Sequence, residues 1–142
     1  MSLMLRICLY LLGISAVGIG MSMLLLGAET TAQFFAALIN LFLSEPTVPE
    51  GFASPDVDSE LRFYSIFWIA YGVVLFRTAG DLSAHPRLVP LLAALFFAGG
   101  VGRLFSLWSV GQPHTLFVTL MAVELALPPL LVALWAAERR QR

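Results

Sequence analysis

Arg103 lies inside the apolar run LVPLLAALFFAGGVGRLFSLWSV (residues 88–110), and Glu124 lies inside TLFVTLMAVELALPPLLVALWAA (residues 115–137). Each run is long enough to cross a bilayer. An ionisable group at such depth is costly, so it faces a partner or a wet cavity and marks a site by default. A guanidinium there can hold the polar end of an amphiphilic or anionic ligand. A carboxylate there can balance that charge, or act as an acid or base.

Depth and spacing bring more residues into the same constellation. Arg103 lies about seven residues, or ~10 Å, from the end of its run, and Glu124 about nine residues, or ~13 Å, from the facing end of the next. The turn Gly111-Gln112-Pro113 makes the two segments antiparallel neighbours, so the charges share a depth. Glu60 and Arg62 stand at the entrance to the preceding apolar segment, on the same side. Gly99 and Gly100 one turn before Arg103, and Ser106 after it, leave room for a long side chain. Glu60, Tyr64, Trp68 and Tyr71 follow helical spacing and offer aromatic bodies with polar tips, a wall suited to a half-wet pocket. Pro128 and Pro129 have no amide to give the carbonyls of Glu124 and Leu125, so the helix is expected to kink there with free acceptors beside the carboxylate. The predicted ligand-binding set is Glu60, Arg62, Tyr64, Trp68, Tyr71, Arg103, Ser106 and Glu124. A purely structural arrangement competes with it: Arg103 pairs with Glu124, or Arg62 with Glu124 and Arg103 with Glu60, fixing helix register.

The elements that position these residues follow from composition. The 142-residue chain is 59% hydrophobic and 12% charged, with a mean hydropathy of +0.88, which places it outside ordinary soluble domains. Spans are expected at about 5–26, 61–78, 88–110 and 115–137. The predicted fold is therefore all-α, an integral membrane four-helix bundle forming one domain over residues 1–142. The first loop, 27–60, contains TTAQFFAALINLFL at 30–43, apolar but too short to span. That stretch is expected to be a helix at the membrane interface or a re-entrant element. The remainder of the loop is acidic and proline-rich, with Asp56, Asp58 and Glu60 forming a solvated approach to the second span. All eight basic residues are arginine. Arg6, Arg77, Arg87, Arg139, Arg140 and Arg142 fall at the termini and the 79–87 loop, which places those parts in the cytoplasm by the positive-inside rule. Trp108 and Trp135 fit the interfacial belts. Small residues recur at Ala94, Ala98 and Gly102, and at Ala16 and Gly20, as expected where helices approach closely in lipid.

Several chemistries find no support. The net charge of −1 argues against a nucleic-acid partner. No nucleophile motif, phosphate-binding loop, dinucleotide fingerprint, CxxC or HExxH is present, so no cofactor is expected. Cys8 is the single cysteine and reads as a packing residue. His85 and His114 fall on opposite sides of the membrane, and His114 with Asp56, Asp58 and Glu60 lacks tight ligand spacing, so no metal site is expected. Arg139, Arg140 and Arg142 form a basic tail that anionic lipid would attract.

The block Glu60-Leu61-Arg62-Phe63, the run Gly99-Gly100-Val101-Gly102-Arg103-Leu104 with Ser106, the turn Gly111-Gln112-Pro113, and Glu124 followed by Pro128 resemble the pattern of the bacterial four-helix membrane family known as domain of unknown function 4345. The resemblance covers nearly the whole chain. It implies a compact four-span bundle in a bacterial cytoplasmic membrane with those positions as its polar core, and it implies no activity, substrate or cofactor. A likeness to DoxX-type four-helix proteins rests on architecture alone. The expected role is a lipid- or amphiphile-binding, carrier-like module. The alternatives are a non-catalytic subunit of a larger membrane complex with a protein partner, and an intramembrane enzyme using Glu124.

Overall fold

The computed structural model describes residues 2–43, 47–84 and 87–140. Among these residues every regular element is a helix: α1 (Ser2–Leu26), α2 (Ala28–Leu43), α3 (Pro55–Gly80), α4 (Leu88–Ser109) and α5 (Thr115–Arg140). The helices α1, α3, α4 and α5 are each long and apolar enough to cross a membrane. The chain is an all-α, multi-pass membrane protein.

Of the boundaries that differ from the sequence expectation, two have identifiable reasons. The helix α3 begins at Pro55 rather than near residue 61. Proline is preorganised for the first helical position, where its missing N–H costs nothing. Asp56 and Asp58 then fall in the first turn, where the helix dipole favours negative charge. The amide of Asp58 donates to the carbonyl of Ser54 at 2.9 Å. Asp56, Asp58 and Glu60 thus lie in the first turns of a helix, while residues 47–54 before them form no regular element. At the other end of the chain α5 extends to Arg140, with Arg139 and Arg140 favourably placed in its last turn. It continues through Pro128 and Pro129 without terminating. The helix α2 has 16 residues, a length of about 24 Å, short of the ~30 Å hydrocarbon core.

The chain divides into two compact units, residues 14–73 and residues 1–13 with 74–142. In the first, α1 and α3 run antiparallel: the carbonyl of Leu24 meets Arg62, and Gly20 meets Ser65 and Ile69. A Cβ on Gly20 would lie 2.7 Å from Ile69 Cγ1 and 2.9 Å from the Ser65 carbonyl, so the absent side chain sets the helix separation. Ser65 is fully buried, and its hydroxyl donates to the Arg62 carbonyl at 2.6 Å. Gly27, at φ +89°, bends the chain between α1 and α2, and the Ser22 and Thr31 hydroxyls hydrogen-bond across the bend at 2.9 Å.

In the second unit the start of α1 also runs antiparallel to the end of α3. Arg6 Nη1 donates to the Gly80 carbonyl at 3.3 Å, and Tyr10 stacks on Phe76 at 6.1 Å. Leu5, Leu9, Leu75, Val89 and Leu131 are fully buried here. Asp81 Oδ1 accepts from the Ser83 hydroxyl and from the amides of Ser83 and Ala84, which shapes the turn before α4.

Two glycines on α1 should respond oppositely to alanine. Gly18→Ala, with nothing within 4 Å of the added carbon, is expected to leave stability unchanged or raise it by up to about 1 kcal/mol through helix propensity. Gly20→Ala is expected to lower stability by about 1–3 kcal/mol through overpacking. Thermal unfolding of both variants in the same detergent checks the difference in sign.

Candidate functional site

The helices α4 and α5 form a hairpin whose turn places Gly111 at φ +116°. His114 closes it: its Nδ1 accepts the amide of Leu116 at 3.1 Å, a side-chain cap on the first turn of α5. Gly100 is a point of close approach. A Cβ there would lie 2.9 Å from Leu125 Cδ2 and 3.0 Å from Glu124 Cβ. The glycine therefore lets α4 lie against α5 one turn before Arg103.

Arg103 Nε donates to Glu124 Oε2 at 2.8 Å. The two partners differ in exposure: the Glu124 side chain is 4% exposed and that of Arg103 31%. Phe117, two turns before Glu124 on α5, lies 5.7 Å from the guanidinium carbon. This cation–π contact adds attraction without using an N–H. Nη1 and Nη2 meet no protein acceptor among the described residues. Ser106, one turn further along α4, is exposed, and its hydroxyl has no partner among the described residues. Pro128 is buried on the same helix as Glu124 and leaves that residue's carbonyl without its regular helical donor.

Arg62 belongs to the other unit and has a different environment. Its Nε donates to Asp58 Oδ2 at 2.7 Å and its Nη1 to the Leu24 carbonyl at 2.6 Å. Asp58 Oδ1 accepts the amide of Ala28 at 2.9 Å. One ion pair thus caps the end of α1 with a cation and the start of α2 with an anion, as each helix dipole prefers. Gly27 lies against it: a Cβ would sit 2.7 Å from Arg62 Nη2 and 2.9 Å from Asp58 Oδ1. Asp58 was missed as a partner for Arg62, although the i, i+4 spacing of opposite charges on a helix was the available signal.

The remaining predicted site residues divide by their ring contacts. Tyr64 is exposed and packs with Phe63 and Phe67, at 5.5 and 6.4 Å. Trp68 packs edge-on against Tyr71 at 6.4 Å. Glu60 is exposed on α3. Among the described residues no group of three or more His, Cys, Asp or Glu could hold a metal, and His85 lies outside them.

Over residues 4–135 the chain matches the family model described as domain of unknown function DUF4345. The chain belongs to this family. No curated protein and no solved structure matches it. The DUF4345 match takes in both charge clusters, the Gly100 contact and the proline pair of α5.

Breaking the Arg103–Glu124 pair should cost more from one side than from the other. Arg103→Met strands a nearly buried carboxylate and is expected to lower stability by about 2–5 kcal/mol. Glu124→Leu leaves a part-exposed guanidinium and should cost less. The double variant should lie closer to wild type than Arg103→Met does. Thermal unfolding of the three variants checks that order.

Proposed function

We propose that the protein is a small amphiphile-binding, carrier-like module of a bacterial cytoplasmic membrane, with Arg103 receiving the polar end of its ligand. One observation carries this: a guanidinium within a membrane-length apolar helix commits Nε to Glu124, and its Nη1 and Nη2 have no protein acceptor among the described residues. Polar N–H groups at such depth require an acceptor. Ser106 lies beside it as a second polar contact. Arg62, held by Asp58 and Leu24, serves the helix junction in this proposal.

The arginines at both termini and in the 81–87 turn support a cytoplasmic location for those parts, which puts Arg103 in the outer half of the membrane. Arg139 stacked over Trp135 at 5.1 Å is consistent with a membrane-interface anchor. The helix α2 would lie along the outer interface, with Phe34, Leu38, Leu41 and Phe42 as its exposed apolar residues. A second reading, a subunit of a larger membrane complex, is favoured by one feature. Ala94, Ala98 and Gly102 are exposed on α4, and Gly102 has nothing within 4 Å of an added Cβ, so another helix could approach there.

Lipid analysis of purified protein checks the first reading. The Arg103→Met/Glu124→Leu double variant is expected to lose a co-purifying amphiphile that Arg62→Met retains; equal retention in both would sink the proposal. Orientation is checked in a Cys8→Ser background. An impermeant maleimide should label Glu50→Cys from the outside of intact cells, and Ser83→Cys after permeabilisation.

A further inference from the structure

Charge balance at Arg103 restricts what the ligand can be. Glu124 is almost fully buried and lies 2.8 Å from Nε, so the guanidinium already has its counter-charge. A second anion on Nη1 and Nη2 would give the cluster a net charge of −1 about 10 Å inside the end of an apolar helix. Uncompensated charge in that setting is disfavoured by several-fold to many-fold in affinity. A neutral carbonyl oxygen meets the same N–H groups through its two lone pairs and adds no charge. Phe117 contacts the guanidinium with its ring centroid 5.7 Å from the central carbon, and neither Nη1 nor Nη2 has a protein acceptor among the described residues.

The face of α4 that bears Arg103 suits the rest of such a molecule. Gly99, Gly102, Arg103 and Ser106 fall at i, i+3, i+4 and i+7, one helical face. Gly99, Gly102 and Ser106 are exposed, and an added Cβ on Gly102 meets nothing within 4 Å. Leu95, also exposed, continues that face toward the middle of the helix. The polar groups are nearer the end of α4, and the bare backbone with Leu95 runs inward from them. An amphiphile lying there would place its carbonyl at Arg103 and its chain along the glycines, in the direction lipid chains run.

We infer that the group received by Arg103 is the neutral carbonyl of a membrane amphiphile, not an anionic headgroup. This rests on the binding role proposed for Arg103. Native mass spectrometry in a polyoxyethylene ether detergent, which carries no carbonyl, can compare methyl decanoate with decyl sulfonate. Wild-type protein is expected to bind the ester at least roughly tenfold more tightly, because the sulfonate stays charged. Glu124→Gln leaves Arg103 without its counter-charge and should reverse the preference. A wild-type preference for the sulfonate overturns the inference while leaving the binding role of Arg103 intact. Unchanged selectivity in a folded Glu124→Gln variant overturns it too, and the wild-type comparison decides alone if that variant does not fold. Binding of neither probe overturns both proposals. Competition separates two sources of such a carbonyl: displacement by dioctanoylglycerol indicates a lipid ester, and displacement by decylbenzoquinone a membrane quinone. Displacement of bound ester by neither overturns the inference.

Discussion

Asp58 and Arg62 hold the bend between α1 and α2. A helix end leaves donors or acceptors that water would normally satisfy, and near hydrocarbon that water is scarce. The carboxylate takes the first amide of α2 and the guanidinium takes a carbonyl from the last turn of α1. Both groups sit on α3, so a single i, i+4 pair joins three helices within the 14–73 unit. Gly27 is the condition for this closure, since a side chain there would occupy the space of both charged groups. The Arg6 contact to Gly80 repeats the logic: a cation near the start of α1 meets a carbonyl at the end of α3.

The same physics accounts for the contrast between the two membrane arginines. Arg62 is drawn to helix ends and meets backbone there. Arg103 has a carboxylate bonded to Nε, a ring centroid 5.7 Å from its central carbon and exposed glycines along its own helix. Two guanidiniums of identical chemistry therefore diverge through backbone geometry. One is bonded through Nε and Nη1, and the other through Nε alone among the described residues.

The four long helices, their approximate limits and the hairpin that brings Arg103 to Glu124 were legible because length and hydropathy dominate in membrane chains. The matched depths followed from counting residues back from a short turn. The start of α3 was obscured because Asp56, Asp58 and Glu60 read as solvated loop, whereas Ser54-Pro55 followed by acids is also a helix start. Arg62 was assigned to a ligand set because its partners, a backbone carbonyl and an acid four residues away, leave little trace in hydropathy. The Phe117 contact depends on side-chain direction across the hairpin, which spacing alone does not determine. Packing of the small residues was legible only in part: Ala16 and Gly20 are buried, and Ala94, Ala98 and Gly102 are exposed.

The hairpin of α4 and α5 also bears on how the chain is made. Its two charges are 21 residues apart across one short turn, and they lie within bonding distance on neighbouring helices. A segment with a lone arginine in its apolar run is a poor candidate for the bilayer, and so is one with a lone glutamate. Joined as a hairpin they carry no net charge at that depth. The last third of the protein thus brings its own neutralisation with it.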